Sequence, residues 1–373
     1  MKYFFVAGET SGDMHGAKLI SEIKKIEQNC IFLGHGGEKM KDCGMQIYEH
    51  TNTLGVMGFV EVIKHLPGIL KIMDQTVDII AKTTPDRIIL IDYPGFNLRL
   101  AKKLQYLNIP ITYFILPQAW AWKEKRVEIM KATLDQALSI FPFEKEWYNS
   151  RGLKTKYIGH PFVEKINHYE TSKGFFSRHG INAKNPTLLL LPGSRKQEIK
   201  AHWTVFLKVV DILKLKIDNL QIILVPAPGI IFDNVPENFK VEYNARKAMS
   251  FATAAIVSSG TATLECLVEH TPIVVCYKLS FLSWILFKLM ANIKYASIVN
   301  IIGNSAIVPE YLQSKMTAKN LASAVAPLLD KSNPIRKKML NRFNDVQKKL
   351  GAPGVYARAA KAIVHNNNEI EKV

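Results

Sequence analysis

The chain has 373 residues, with 49 Lys and Arg against 32 Asp and Glu, a formal charge of +17. That length predicts two domains or one large one, and it excludes a disulfide-stapled mini-protein, because a chain of this size buries most of its unfolded surface unaided. Hydrophobic residues at 48% and charged residues at 22% exclude a largely disordered chain, while the basic balance points to nucleic acid, a phosphorylated ligand or an anionic membrane. The charge is unevenly spread: residues 1–164 hold 21 basic and 18 acidic residues, residues 165–373 hold 28 and 14. Residues 331–361 hold nine Lys or Arg and one acid, Asp345. Cys30, Cys43, Cys266 and Cys276 form no C-x-x-C pair and fit no zinc spacing, so reduced cytosolic thiols are expected. The run Tyr3–Ala7 is too short for a signal-peptide core, and no stretch reaches the ~20 apolar residues of a membrane span. The expectation is a cytoplasmic, non-spanning chain.

In chain order, Tyr3–Ala7 reads as a buried strand before glycines, and Asp13–Ile26 as a helix from the spacing of Met14, Ala17, Ile20 and Ile23. Ile31–Leu33 reads as a second strand. Phe59, Val60, Val62, Ile63, Leu66, Ile69, Leu70 and Met73 recur at helical spacing, with Pro67-Gly68 as a break. Arg87–Ile91 is a continuous apolar run of central-strand type, followed by a helix over Phe96–Leu107 and a strand over Ile111–Ile115. The polar stretch Asn167–Pro186 is the best linker. The rhythm then restarts: strand Thr187–Leu191, helix Gln197–Leu215, strand Gln221–Val225, strand Ala254–Val257, helix Thr261–Val268, strand Pro272–Tyr277. This predicts an α/β protein of two Rossmann-like halves, each a doubly wound parallel sheet, with a cleft between their strand ends.

Three glycine turns sit between strand and helix. Gly8 to Gly16 (GETSGDMHG) lacks the dinucleotide G-x-G-x-x-G spacing, which disfavours an oxidoreductase. The turn reads either as a tight turn with Ser11 or Asp13 capping the helix or as a ligand site, where the acids Glu9 and Asp13 suit sugar hydroxyls better than phosphate. In Leu191-Pro192-Gly193-Ser194-Arg195, Gly193 permits a tight turn, Ser194 can cap the helix and Arg195 offers a planar donor fork for phosphate. In Ser259-Gly260-Thr261-Ala262-Thr263-Leu264-Glu265, small residues let a ligand approach a helix start. Glu265, one turn on, can take both ribose hydroxyls.

Together these segments resemble the lipid-A-disaccharide synthases, glycosyltransferases of GT-B architecture. The resemblance rests on an ordered series over most of the chain: Ala7 to Asp13; Val56-Met57-Gly58 with Val60-Glu61-Val62; Ile91-Asp92 with Phe96-Asn97; Trp120-Ala121-Trp122 with Lys125-Arg126-Val127; Phe141-Pro142-Phe143-Glu144; Gly159-His160-Pro161. It continues with Leu191 to Arg195 and Glu198, Ser259 to Glu265, Asn300, Val308-Pro309-Glu310 and Gln313. The resemblance implies that UDP-2,3-diacylglucosamine and 2,3-diacylglucosamine 1-phosphate are joined into a β-1,6-linked disaccharide 1-phosphate, releasing UDP. It implies domains at 1–165 (acceptor, membrane-facing) and 166–344 (UDP-sugar donor), with a helical tail at 345–373 packing back on the first.

An α-linked donor and a β product imply inversion, which needs a base on the acceptor hydroxyl and stabilisation of the leaving diphosphate. Asp92, ending a buried strand, is the expected base, with Glu9 as alternative base or acceptor orienter; His15 and His35 are weaker candidates. Arg195 is expected to stabilise the leaving group. Gly193, Ser194, Glu198, Ser259, Gly260, Thr261, Glu265, Asn300, Glu310 and Gln313 are expected on the donor side. Gly8, Ser11, Met57, Val60, Val62, Ile63, Leu66, Trp120, Trp122 and Arg126 are expected to face the acceptor or lipid. No metal or other cofactor is expected. From its spacing the stripe at 59–73 reads as core, whereas the resemblance implies a lipid-facing helix; the apolar segment 279–293 reads equally as an interfacial helix or as core, and Trp120 and Trp122 as interface or packing. The basic run 331–361 reads as a solvated helix face or as a contact with the anionic inner membrane, giving peripheral association. A UDP-N-acetylglucosamine epimerase shares the nucleotide half and is the alternative enzyme. A nucleic-acid binder has only the charge in its favour, and oligomeric state is left open.

Overall fold

The computed structural model describes residues 1–54, 59–164, 170–232, 234–279, 284 and 294–365, with 59–66 described as backbone only. The chain forms two compact units, Met1–Glu164 with Leu350–Val373, and Lys165–Lys349.

The first unit carries a seven-stranded parallel sheet of β1 (Lys2–Ala7), β2 (Ile31–Gly36), β3 (Gln46–His50), β4 (Arg87–Ile91), β5 (Ile111–Phe114), β6 (Gln136–Ser139) and β7 (Thr155–Tyr157), in the order 3-2-1-4-5-6-7. Tyr3 to Ala7 and Ile88 to Ile91 are fully buried, as strands covered by helices on both faces must be. The second unit repeats the pattern with β8 (Thr187–Leu191), β9 (Gln221–Leu224), β10 (Lys240–Val241), β11 (Ala254–Ser258), β12 (Ile273–Tyr277) and β13 (Glu310–Leu312), in the order 10-9-8-11-12-13. Both are Rossmann orders. Strand order reverses between β1 and β4 in one unit and between β8 and β11 in the other, and such switch points are where open α/β sheets bind ligands.

Three expectations are corrected. Pro67 does not break its helix, which runs from Phe59 to Thr83. A mid-helix proline costs about 3 kcal/mol, and burial of Met73, Thr76 and Ile80 on the far side offsets it. The stretch 167–186 is not simply a linker: Thr171 caps a helix over Ser172–Arg178 that buries Phe175 and Phe176. The boundary expected at 345 falls inside the helix Pro334–Lys349, which belongs whole to the second unit.

The chain then returns to the first unit. Glu164 Oε1 accepts the N–H groups of Gly354 and Val355 (3.0 and 2.6 Å), capping the helix Val355–Val364. That helix buries Val355, Tyr356, Ala359, Ala360, Ala362 and Ile363. Tyr356 Oη pairs with His15 Nδ1 at 2.8 Å, and Gln136 donates to Ala362 O at 2.8 Å. The basic run 331–361 crosses the boundary between the units. Three of its arginines are engaged within the fold: Arg336 on Thr253 O and Leu328 O, Arg342 on Ser305 Oγ, Arg358 on Ile158 O and Ala352 O. Among the described residues, no helix is long and apolar enough to cross a membrane.

Candidate functional site

In the first unit the segments after β1 and β4 lie side by side at the switch point. Asp92 and Tyr93 follow β4 with consecutive left-handed backbones (φ 45° and 49°), which residues with a Cβ rarely adopt. The pair is held from several sides. Asn97 Nδ2 donates to Asp92 O (2.7 Å) and Ile91 O (3.3 Å), Tyr113 Oη donates to Asp92 O (2.5 Å), and Tyr93 Oη donates to Leu54 O (2.8 Å). The Tyr93 ring lies so close to Gly8 that a Cβ there would meet it at 2.2 Å, which accounts for that glycine. Burial, and next the Glu9 charge, raise the Asp92 carboxyl to about 6, against a hydrogen bond from the Tyr93 backbone. Asp92 does not cap the following helix; Tyr93 occupies that position without a side-chain bond.

Asp13 is corrected. The helix Thr10–Ile26 starts from Glu9 without side-chain capping by Ser11 or Asp13. Asp13 is buried and accepts the N–H groups of Gly37 (2.7 Å), Lys39 (3.1 Å) and Met40 (3.0 Å), capping the helix Glu38–Asp42. Its oxygens serve the backbone rather than a sugar. His15 and His35 are both lowered to about 4 by burial and bonded to Tyr356 and Thr76, so both are neutral at physiological pH.

Trp120 packs edge-on against Phe143 (4.9 Å) and Phe141 (6.3 Å) and donates to Glu144 Oε1 at 2.9 Å. Glu144 is fully buried. Burial raises its carboxyl to about 8, although the Trp120 indole and the Phe141 N–H favour its charged form. Trp122 is 42% exposed, with Lys123 and Arg126 over its ring. Met57 lies outside the described residues, as do the side chains of Val60, Val62, Ile63 and Leu66 and nearly all of 280–293.

In the second unit both glycine turns stand at the switch point, after β8 and β11. Gly193 has φ +124°, and a Cβ there would lie 2.5 Å from Glu198 Oε2. Glu198 accepts the Ser194 N–H (3.0 Å) and the Tyr277 hydroxyl (2.8 Å). Ser194 thus contributes its backbone, and the helix Lys196–Lys214 starts from Arg195 with no side-chain cap. The Arg195 side chain is 68% exposed, 3.7 Å from Glu198 Oε1, with its donor fork open to an anion.

His202, one helical turn after Glu198, was not singled out in the sequence. Its Nδ1 pairs with Pro192 O (2.7 Å) and its Nε2 accepts the Lys278 N–H (3.0 Å). The carbonyl requires the proton on Nδ1, so this tautomer is fixed by its partners. A polar residue at i+4 from Glu198, amid the buried Phe206 and Val209, was the available signal.

Ser259, Asn300 and Glu310 belong to one network. Ser259 Oγ donates to Ala296 O (2.9 Å), while Glu310 accepts the N–H groups of Ala296 (2.9 Å) and Ser297 (2.8 Å) and the Asn300 amide (2.7 Å). Asn300 Oδ1 takes the N–H groups of Ile307 (2.8 Å) and Val308 (2.9 Å). Asn300 and Glu310 therefore shape the wall beside Ser259 and Gly260. Gln313, oriented to satisfy both its amide atoms, donates to Leu279 O (3.2 Å) and accepts from Leu279 N (3.0 Å). Space opens beside Gly260, and Thr261 precedes the helix Ala262–Val268. Glu265 on that helix has no hydrogen-bond donor on its carboxylate among the described residues. Burial raises its carboxyl, and the Arg246 charge counters this.

Residues 3–363 match the family described as lipid-A-disaccharide synthetase. The lipid-A-disaccharide synthase of Myxococcus xanthus is 34% identical over 367 residues, spanning 96% of each chain. The lipid-A-disaccharide synthase 1 of Legionella pneumophila is 33% identical over 356 residues, spanning 93% of this chain and 92% of its own. Among solved structures, the UDP-GlcNAc 2-epimerase of Methanocaldococcus jannaschii, in complex with UDP-GlcNAc and UDP, superposes with a TM-score of 0.65 at 14% identity, over 98% of this chain and 100% of its own. A calicheamicin glycosyltransferase does so with a TM-score of 0.62 at 13% identity, over 98% and 97%. At such identities these two show the shared GT-B fold alone. With paired Rossmann sheets, glycine turns at both switch points and a family match along nearly its whole length, this chain belongs to the lipid-A-disaccharide synthetase family and is a glycosyltransferase.

Proposed function

We propose that the chain transfers the diacylglucosaminyl group of UDP-2,3-diacylglucosamine to the 6-hydroxyl of 2,3-diacylglucosamine 1-phosphate, with inversion. The observation that carries this reading is the raised, strained Asp92 at the switch point of the first unit. Asp92 takes the proton of the acceptor hydroxyl, the oxygen attacks the anomeric carbon, and the bond to UDP breaks. A carboxyl near 6 is mostly ionised at pH 7 yet retains more basicity than an ordinary aspartate. Glu9 beside it orients the acceptor. Arg195, largely exposed and only loosely paired with Glu198, takes the charge developing on the leaving diphosphate. The Gly193 and Gly260 turns admit the phosphates close to the backbone, and Glu265, with no donor of its own, receives the ribose hydroxyls.

A mass-resolved assay with the diacylated donor and lipid acceptor tests this: a disaccharide 1-phosphate and UDP are expected in equal amounts. Turnover of unacylated UDP-N-acetylglucosamine without acceptor would instead favour an epimerase. The leaving group is taken to be stabilised by Arg195 and backbone donors without a divalent ion, so full activity is expected in excess EDTA. Peripheral binding to the anionic inner-membrane surface belongs to the same reading, supported by the +17 charge and the exposed Lys331, Lys337, Lys338 and Lys348. Sedimentation with anionic vesicles that weakens as salt rises is the expected result.

A further inference from the structure

The segment 118–126 follows β5, the strand paired with β4 and its Asp92. The segment is fixed in place: Tyr148 Oη donates to Pro117 O, and Trp120 is tied to Glu144. It presents Lys123 and Arg126, which Arg99 joins from the helix Pro94–Leu104. The nearby acids are committed elsewhere, Glu124 to Arg151 (2.6 Å) and Glu128 to Lys131 (3.2 Å). Among the described residues, Arg99, Lys123 and Arg126 have no carboxylate partner.

Two of these cations, Lys123 and Arg126, are nonetheless gathered on one ring, and the Arg99 charge reaches Lys123. Lys123 has a left-handed backbone, φ +58°. Its Nζ lies 4.6 Å and the Arg126 guanidinium carbon 5.0 Å from the centroid of the same half-exposed Trp122 ring. Burial first, then the charges of Arg126 and Arg99, hold the Lys123 ammonium below its ordinary value. Mutually repelling cations, held by a strained turn and an indole and without an acid, form a site for an external anion. The site shares its surroundings with the candidate base: Tyr113, whose hydroxyl touches Asp92 O, feels the charges of both Asp92 and Arg126.

We propose that Lys123 and Arg126, grouped around Trp122 and joined by the Arg99 charge beside Lys123, form a phosphomonoester site that holds the anomeric phosphate of the acceptor sugar and so turns its 6-hydroxyl toward Asp92. This rests on the acceptor named in the preceding subsection. The test is steady-state kinetics of the full chain with 2,3-diacylglucosamine 1-phosphate and with the same sugar lacking the phosphate. The double variant Lys123→Ala, Arg99→Ala is expected to raise KM for the phosphorylated acceptor roughly 10- to 100-fold, the scale of lost charge-assisted bonds. The donor KM and the rate with the phosphate-free sugar should hardly change. Arg126 is half-buried, so Arg126→Lys, which keeps the charge, replaces a deletion and should largely preserve KM. An unchanged KM in the double variant, or equal losses on both acceptors, would overturn the proposal.

If the wild-type chain turns over neither acceptor, the proposed reaction fails. The phosphate site is then judged by calorimetric titration with glucosamine 1-phosphate, where binding by the wild type and its loss in the double variant support it, and absence of binding overturns it. Sedimentation with anionic and neutral vesicles separates the acceptor from a bilayer headgroup. A variant that loses vesicle binding while keeping its acceptor KM assigns the cations to the membrane and overturns the proposal.

Discussion

Asp92 combines two unfavourable properties, a left-handed backbone and a carboxyl raised to about 6. Neither helps the fold. A carboxyl protonated more readily in the folded state than in the unfolded one favours folding below its unfolded value of 3.8, and that contribution is lost as pH rises through about 6. At pH 7 the ionised group therefore weighs against stability, by up to about 3 kcal/mol. Asp92→Asn, a residue that tolerates the left-handed region, is expected to raise Tm at pH 7, with the gain vanishing below pH ~4. The same variant is expected to lose roughly 10²- to 10⁴-fold in kcat, the usual scale for a general base. In the wild type, kcat should fall on the acid side with an apparent pKa near 6, measurable as a pH–rate profile. The place of Asp92, at the end of a buried strand, was legible in the sequence because Ile88 to Ile91 form an uninterrupted apolar run. Asp13 was misread because its partners, the backbone N–H groups of 37, 39 and 40, arrive from a later helix that no local pattern announces.

At the level of elements, the long buried strands and the helices Thr10–Ile26 and Lys196–Lys214 were legible to within a few residues, whereas the helix Phe59–Thr83 was cut at Pro67 and Ala318–Leu329 was missed. Short edge elements were not legible either. β3, β10 and β13 bury little, and Ser172–Arg178 hides in a polar stretch because only Phe175 and Phe176 reach the core. Among the described residues, the connection between β12 and β13 is tied by polar bonds as well as by buried Val299, Ile302 and Val308. Glu310 gathers three donors at the start of the helix Ile298–Gly303, and Glu310→Ala would strand the Ala296 and Ser297 N–H groups and one Asn300 bond. We expect it to destabilise the second unit by roughly 2–4 kcal/mol and to raise the donor KM, measured by thermal melting and by kinetics. Gly193→Ala should act more locally. Its Cβ would displace Glu198 from Ser194 and Tyr277, loosening the turn that precedes Arg195, so the donor KM should rise with a smaller change in Tm.

For the whole molecule, two Rossmann sheets were legible because the βα rhythm restarts midway. The return of the chain to the first unit came only through the family resemblance, since a contact between Glu164 and Gly354 spans 190 residues and leaves no local trace. Truncation after Lys349 removes a helix that buries six side chains on the first unit. Calorimetry should then show one early transition from that unit and one nearly unchanged from Lys165–Lys349. The same arrangement sets an order of assembly. Lys165–Lys349 is contiguous and can close as soon as it leaves the ribosome. The first unit, begun earlier, must wait for Val355–Val364 to be synthesised before the face around His15 is covered. Although domains usually fold N-terminal first, the half of this chain made first is the half finished last.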